Sequence, residues 1–347
     1  IVGCAAAAFL AEAGARVDVY ERDEVAAGAS GRNSGVIQHP FDEVLTTLHR
    51  ETLGHYRDLE DFDLPERPAG IMMVAGDPSV LEPVARSIAA DCPELEPALL
   101  DPAQARGTEP ALAEGVWACR IETGYPVRPA DATRAFARRA HASGARFHEG
   151  ETAWPWVMSG RARGVLAAGV RRPADAVLVT AGPWTPGVVD TTRAWAPIAP
   201  VWGVVTEVEM ADPPAHVLEE TGVEELAGGT QGTLFSLVNA GGEVSLGSTF
   251  TADAPDPADW VPRIKRGAER WVPGVGRAKV VGARACARPQ SLDGRPLVGE
   301  LPGHEGLWVA AGHGPWGISS GPATARIAAD ALLAGAEVPA PLSAGRF

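Results

Sequence analysis

The sequence predicts an α/β fold, α+β overall, in which a discontinuous parallel-sheet domain is interrupted by a mainly antiparallel β-sheet domain. Three observations carry that expectation. The chain opens on an apolar helix pattern followed at once by a short alternating strand, IVGCAAAAFLAEAGARVDVYER over residues 1–22. A second helix–strand unit recurs over 130–149, and a strand–turn–helix closes the chain over 307–333. Beyond residue 195 the texture changes to long strands and a hairpin, so β-rich pieces lie between α/β pieces. A chain of 347 residues can bury such a core without disulfide or metal support.

Taken in order, Cys4–Ala13 are strong helix formers and Gly14 ends the run. Arg16–Tyr20 alternates as a strand and Glu21 closes it. Residues 28–35, GASGRNSG, form a loop without periodicity. Helices are expected over 41–60 and 79–91, strands over 69–75 and 115–121. The helix over 130–142 stops at Gly144. After it come a strand over 145–149, a ribbon across 162–170 and an apolar strand over 176–180 that ends in Ala181-Gly182-Pro183. A long strand follows at 201–210, and a hairpin pairs 234–238 with 243–250 around Asn239-Ala240-Gly241-Gly242. A helix over 257–271 precedes a strand at 278–283. The tail carries a strand at 307–311, a glycine-rich turn, and a helix from Pro322 to Leu333 capped by Gly335.

Composition narrows the function. Thirty basic against 44 acidic residues leave a net charge of −14, so no nucleic-acid partner is expected. Only Lys265 and Lys279 are lysines, which leaves arginine as the working cation. No run reaches the roughly 18 apolar residues of a membrane span, and residues 1–11 lack the basic leader of a signal peptide. Cys4, Cys92, Cys119 and Cys286 form no CxxC, so reduced thiols in a cytoplasmic protein are expected. No metal-ligand spacing and no Ser/His/Asp constellation is present, and no metal is expected.

In a dinucleotide-binding unit the first strand ends in G-x-G-x-x-G and an acidic residue closes the second strand. Counting back from Glu21 puts Gly3 at the third glycine, the one that permits close helix–strand packing. The first two glycines and the first strand would then precede Ile1, and about ten residues are expected to be missing, given a usual strand length. On this stretch alone, an unrelated amphipathic helix followed by a strand remains the alternative.

Glu21-Arg22 followed shortly by GASGRNSG resembles the D-amino-acid oxidase, glycine oxidase and sarcosine oxidase superfamily of FAD enzymes. The likeness continues through GARFHEGETA (144–153), ADAVLVTAGPW (174–184) and the block ARPQSLDGRPLVGELPGHEGLWVAAGHGPWGISSGPATARIAADALL (287–333). It implies a Rossmann-like FAD-binding domain over 1–62, 125–194 and 286–347, with a substrate-binding domain over 63–124 and 195–285. It implies that Glu21 binds the ribose, with Gly3 and Arg22 beside it. Ser30, Arg32, Asn33, Ser34 and Gly35 would line the cofactor, Ala153 would lie near the adenine, and Ala181 and Gly182 would touch the cofactor. Gly312, Gly314, Pro315, Trp316, Gly317 and Ile318 would meet the flavin edge, with Trp316 at the flavin or the substrate pocket.

The resemblance also implies that Arg288 binds the substrate carboxylate, a task suited to a planar guanidinium. Arg284 is its nearest rival. His313 is expected to be hydrogen-bonded within its turn rather than catalytic. Gln38 and His39 fall near the flavin as pocket candidates. The implied activity is oxidation of the C–N bond of an amino acid or N-substituted amino acid, with hydride passing to flavin N5 and the imine hydrolysing in water. The partners would be a small amine or amino acid and O2 or another acceptor. Alternatives are a dehydrogenase of the same fold with a non-oxygen acceptor, an NAD-dependent dehydrogenase (disfavoured by GASGRNSG), and a non-catalytic relative or oxidase subunit. Cys286 lies closest in sequence to the site, but no cysteine can be assigned a covalent flavin link.

Overall fold

The computed structural model describes residues 1–192, 194–222 and 232–347. Its first helix, Val2–Glu12, is an almost unbroken run of strong helix formers. Ala5, Ala6, Ala7, Ala8 and Phe9 are each at most 2% exposed. Their small side chains let the helix pack between two others, Asp131–Ala142 and Gly317–Ala334. Phe9, Tyr56, Phe62 and Phe136 close this core, with neighbouring ring centroids 5.1–6.0 Å apart.

Beside these helices, Asp18–Glu21 pairs in parallel with Arg146–Glu149, Asp18 opposite Arg146. Val177–Val179 pairs in parallel with Leu307–Ala311, and Leu297–Glu300 adds antiparallel on that strand's other side. The long second sheet has eight strands in the order Lys279–Ser291, Ile198–Glu209, Glu243–Phe250, Gly232–Ala240, Val217–Glu219, Ile71–Ala75, Trp117–Ile121 and Ala98–Leu100. Its pairs are antiparallel except Val217–Glu219 with Ile71–Met73. Side chains alternate between faces along each strand. One face buries Val204, Leu218, Leu237 and Leu246 against Ile264 and Ala268 of the helix Pro257–Glu269. The opposite face presents Val205, Ser236, Val238, Cys286 and Arg288 to a cavity.

Several elements differ from the sequence expectation. The strand expected over 278–283 runs Lys279–Ser291, because it pairs with Ile198–Glu209 along its whole length. Pro102–Thr108 and Ala153–Met158 are a helix and a strand that the pattern did not show. The final helix starts at Gly317, which places Pro322 inside it. A proline has no N–H for the carbonyl four residues back, here Ile318 O. Tyr56 Oη donates to that oxygen at 2.6 Å, from a fully buried side chain. Tyr56→Phe is therefore expected to strand a buried carbonyl and cost about 1–3 kcal/mol. Urea unfolding measures this; an unchanged midpoint would dismiss the pairing.

Candidate functional site

A cavity of about 1590 Å3 lies between the parallel strands and the long sheet. Gly3, Glu21, Arg22, Ser30, Arg32, Asn33, Ser34, Gln38, Ala153, Ala181 and Gly182 line it, as do Arg288, His313, Gly314, Pro315, Trp316, Gly317 and Ile318. Residues as far apart in sequence as Gly3 and Ile318 are thus brought to one cavity. A Cβ at Gly3 would lie 2.6 Å from Thr180 Oγ1, so the helix start closely approaches the end of the Val177–Val179 strand.

The loop GASGRNSG folds as one helical turn, Ala29–Arg32, with Asn33 as its C-cap. The Asn33 amide holds that shape: Nδ2 donates to Ala29 O and Ser30 O at 3.1 and 3.0 Å, and Oδ1 accepts from Gly35 N at 2.8 Å. Gly35 itself stands outside the lining, since its carbonyl accepts from Val127 N at 2.8 Å and ties the loop to the neighbouring chain. Arg22 lies over the Trp184 ring at 4.7 Å, and both border the cavity.

On the sheet wall, Arg288 Nη1 donates to Thr249 O at 3.0 Å and Nη2 to Ser248 Oγ at 2.5 Å. Its guanidinium sits 4.4 Å from the Phe250 ring centroid. No carboxylate forms an ion pair with it among the described residues. Burial pulls its pKa below the ordinary arginine value. What surface it keeps faces the cavity, leaving a cation away from bulk water with donors to spare. Cys286, on the same face, keeps a thiol pushed upward by burial despite Arg288, Arg284 and Arg32 nearby. Gln38 also lines the cavity, while its Oε1 is buried and has no hydrogen-bond partner among the described residues.

The turn at 312–318 supplies the far wall. His313 Nε2 lies 2.7 Å from Thr324 Oγ1, whose own proton goes to Gly321 O at 2.8 Å. Nε2 therefore carries the hydrogen, and burial pushes the His313 pKa down to about 3. The ring stays neutral, but its partner lies in the helix Gly317–Ala334, so it ties the turn to that helix and is not bonded within the turn. Gly312 lies outside the lining, in the bend between Ala311 and His313. Trp316 borders the cavity, but its side chain is 7% exposed and clusters with Leu45, Leu48, Ala323 and Leu342.

His39 departs from its expectation as a pocket residue. It is 4% exposed, its N–H donates to Thr123 Oγ1, and its ring packs on Phe41 and His49 away from the lining. Arg284 is no second substrate arginine, because its guanidinium is taken up by Glu207, Ser245 and two loop carbonyls. Sequence reasoning did not find Thr180, Gly203, Ser248, Thr249 or Phe250. Each acts through sheet register or close approach, which leave no local motif.

Comparison with known proteins agrees with this architecture. The model of the family described as "DAO: FAD dependent oxidoreductase" matches residues 1–331. Glycine oxidase of Pseudomonas putida is 33% identical over 183 residues, 51% of this chain and 47% of that protein. The match therefore spans about half the length of that relative. Glycine oxidase of Bacillus licheniformis is 24% identical over 353 residues, 96% of this chain and 90% of that protein. The crystal structure of glycine oxidase from Geobacillus kaustophilus has the same fold, with a TM-score of 0.83 at 24% identity over 100% of this chain and 96% of that one. Matched along nearly its whole described length, the chain belongs to the DAO family of FAD dependent oxidoreductases.

Proposed function

We propose that this protein oxidises the C–N bond of an amino acid or N-substituted amino acid, with FAD held in the large cavity. The observation that carries the reading is Arg288, which lines the cavity and has no acidic partner among the described residues. A substrate carboxylate completes it, as a planar fork fixes a carboxylate in one orientation.

When bound, FAD supplies the two-electron acceptor for the hydride on the carbon next to nitrogen. Glu21, Arg22, the turn Ala29–Arg32, Ala153, Ala181 and Gly182 would hold its nucleotide half. The turn at Gly314–Ile318 would take the ring, where the N-terminus of the helix Gly317–Ala334 offers positive potential for developing negative charge. Arg288 then orients the substrate, with Gln38 on the same cavity lining. The imine leaves and hydrolyses in water. We assign the cofactor domain to 1–62, 125–194 and 286–347 and the substrate domain to 63–124 and 195–285. Four buried, free cysteines support a reducing, cytoplasmic setting, and no helix among the described residues is long and apolar enough to cross a membrane.

Anaerobic mixing of the flavin-loaded, full-length protein with glycine, sarcosine, proline and D-amino acids should bleach the flavin for at least one of them. A protein that binds no flavin, or whose flavin no amine reduces, would defeat the reading. Stopped-flow reoxidation by O2 then separates an oxidase from a dehydrogenase.

Gly203 gives a further expectation. A Cβ there would lie 2.4–2.6 Å from Nη2, Nη1 and Cζ of Arg288. Gly203→Ala should push the guanidinium off its supports and raise KM about tenfold or more, with flavin content unchanged. Steady-state kinetics with the best substrate decide it; an unaltered KM would show that Arg288 has room to move.

A further inference from the structure

The strand Lys279–Ser291 carries two arginines on one face, Arg288 and Arg284, about 13 Å apart along the strand at four residues of rise. Only Arg288 borders the cavity. Arg284 instead lies behind the loop GASGRNSG. Its Nε donates to Arg32 O at 3.1 Å, and its Nη2 to Asn33 O at 2.8 Å and Ser245 Oγ at 3.2 Å. Its Nη1 pairs with Glu207. Its side chain is 14% exposed, and burial lowers its pKa while Glu207 raises it.

These two carbonyls are the last of the turn Ala29–Arg32 and its cap. Helix-end carbonyls carry partial negative charge and lack intrahelical donors. Left bare, they would oppose an anion on the cavity side of the same loop. A guanidinium that bridges both neutralises them and locks the turn. The contact also joins sequence positions 251 and 252 apart, one in each proposed domain.

We propose that Arg284 is a positioning residue, a latch by which the substrate sheet sets the shape of the FAD-binding loop and thereby the affinity for FAD. This rests on the function proposed above, and it adds a residue that touches neither cofactor nor substrate. One strand then fixes both the loop behind the cofactor and the guanidinium in front of the substrate.

The test is FAD titration of the full-length apoprotein, read by quenching of flavin fluorescence, with amide exchange of residues 28–35 as a second readout. Arg284→Met should weaken FAD binding by about tenfold or more, from loss of two charge-assisted bonds, and speed exchange in that loop. The substrate KM at saturating FAD should change less than about twofold to threefold, because Arg288 keeps its own supports. Arg284→Lys, which keeps the charge but not the fork, should fall between wild type and Met, and it serves if the Met variant does not fold. Glu207→Gln leaves both carbonyl contacts and should bind FAD as wild type does. Unchanged FAD affinity or unchanged loop exchange in Arg284→Met overturns the latch. So does a loss in Glu207→Gln equal to that of Arg284→Met, which would assign the effect to the ion pair. A wild-type protein that binds no FAD would instead defeat the proposed function.

Discussion

Arg288→Met is expected to lower kcat/KM for carboxylate substrates by about a hundredfold or more, through KM, while the flavin stays bound. Truncating one partner of a desolvated, hydrogen-bonded charge pair costs about 2–5 kcal/mol, and about 1.4 kcal/mol corresponds to a factor of ten. Arg288 meets those conditions. It faces the cavity, its two protein contacts are a carbonyl and a hydroxyl, and neither neutralises its charge. Methionine keeps the length and the contact with Phe250 but leaves no donor. Arg288→Lys should be intermediate, since an ammonium cannot present a fork. Titration with a non-reacting carboxylate, followed by the flavin spectrum, measures binding apart from turnover. Wild-type carboxylate affinity in Arg288→Met would move the substrate site elsewhere.

Acidification is the second large effect. His313 and His49 are buried neutral, with burial the leading cause, and their pKa values are pushed down to about 3 and about 4. His49 Nδ1 lies 3.3 Å from Ser319 O, which can only accept, so that nitrogen carries the proton. In the unfolded chain both titrate near 6.5. Between the two sets of values the unfolded state binds more protons, so stability rises with pH there. It is fully present above about pH 6.5, falls as pH drops through 6 and 5, and levels only near the folded values. Each histidine contributes on the order of 3 kcal/mol or more by linkage, and His39, also lowered by burial, adds in the same direction. Urea midpoints between pH 7 and 4 should fall steeply, and His313→Gln should flatten part of that slope. A flat profile would mean that these rings take up protons without unfolding.

The acid-sensitive groups and the proposed substrate anchor were unequally legible in the sequence. The histidine in GHGPWGI was visible as a turn residue, because glycines and an adjacent helix signal surround it. That His39 and His49 would meet edge to face with ring centroids 5.5 Å apart was not visible, since nothing local links VIQHP to the middle of a helix. Arg288 stood out through the block that follows it, whereas its supports Gly203, Ser248 and Phe250 lie on other strands and meet it only by register. Arg284 read as a weaker copy of Arg288, yet the fold turns it to the back of the cofactor loop. The end helix shows the same limit. Pro322 signalled a helix start, but Tyr56, remote in sequence, satisfies the carbonyl that the proline leaves and lets the helix begin a turn earlier.

The order and type of most elements and the αβ unit closed by Glu21 were properties of the sequence alone, while the candidate carboxylate anchor came from the family resemblance. Periodicity, caps and glycine placement are local, and local rules encode them. Which arginine faces the cavity, which histidines are held neutral, and which carbonyls find donors were decided by tertiary structure. Those outcomes depend on distances between strands and helices that no single segment contains.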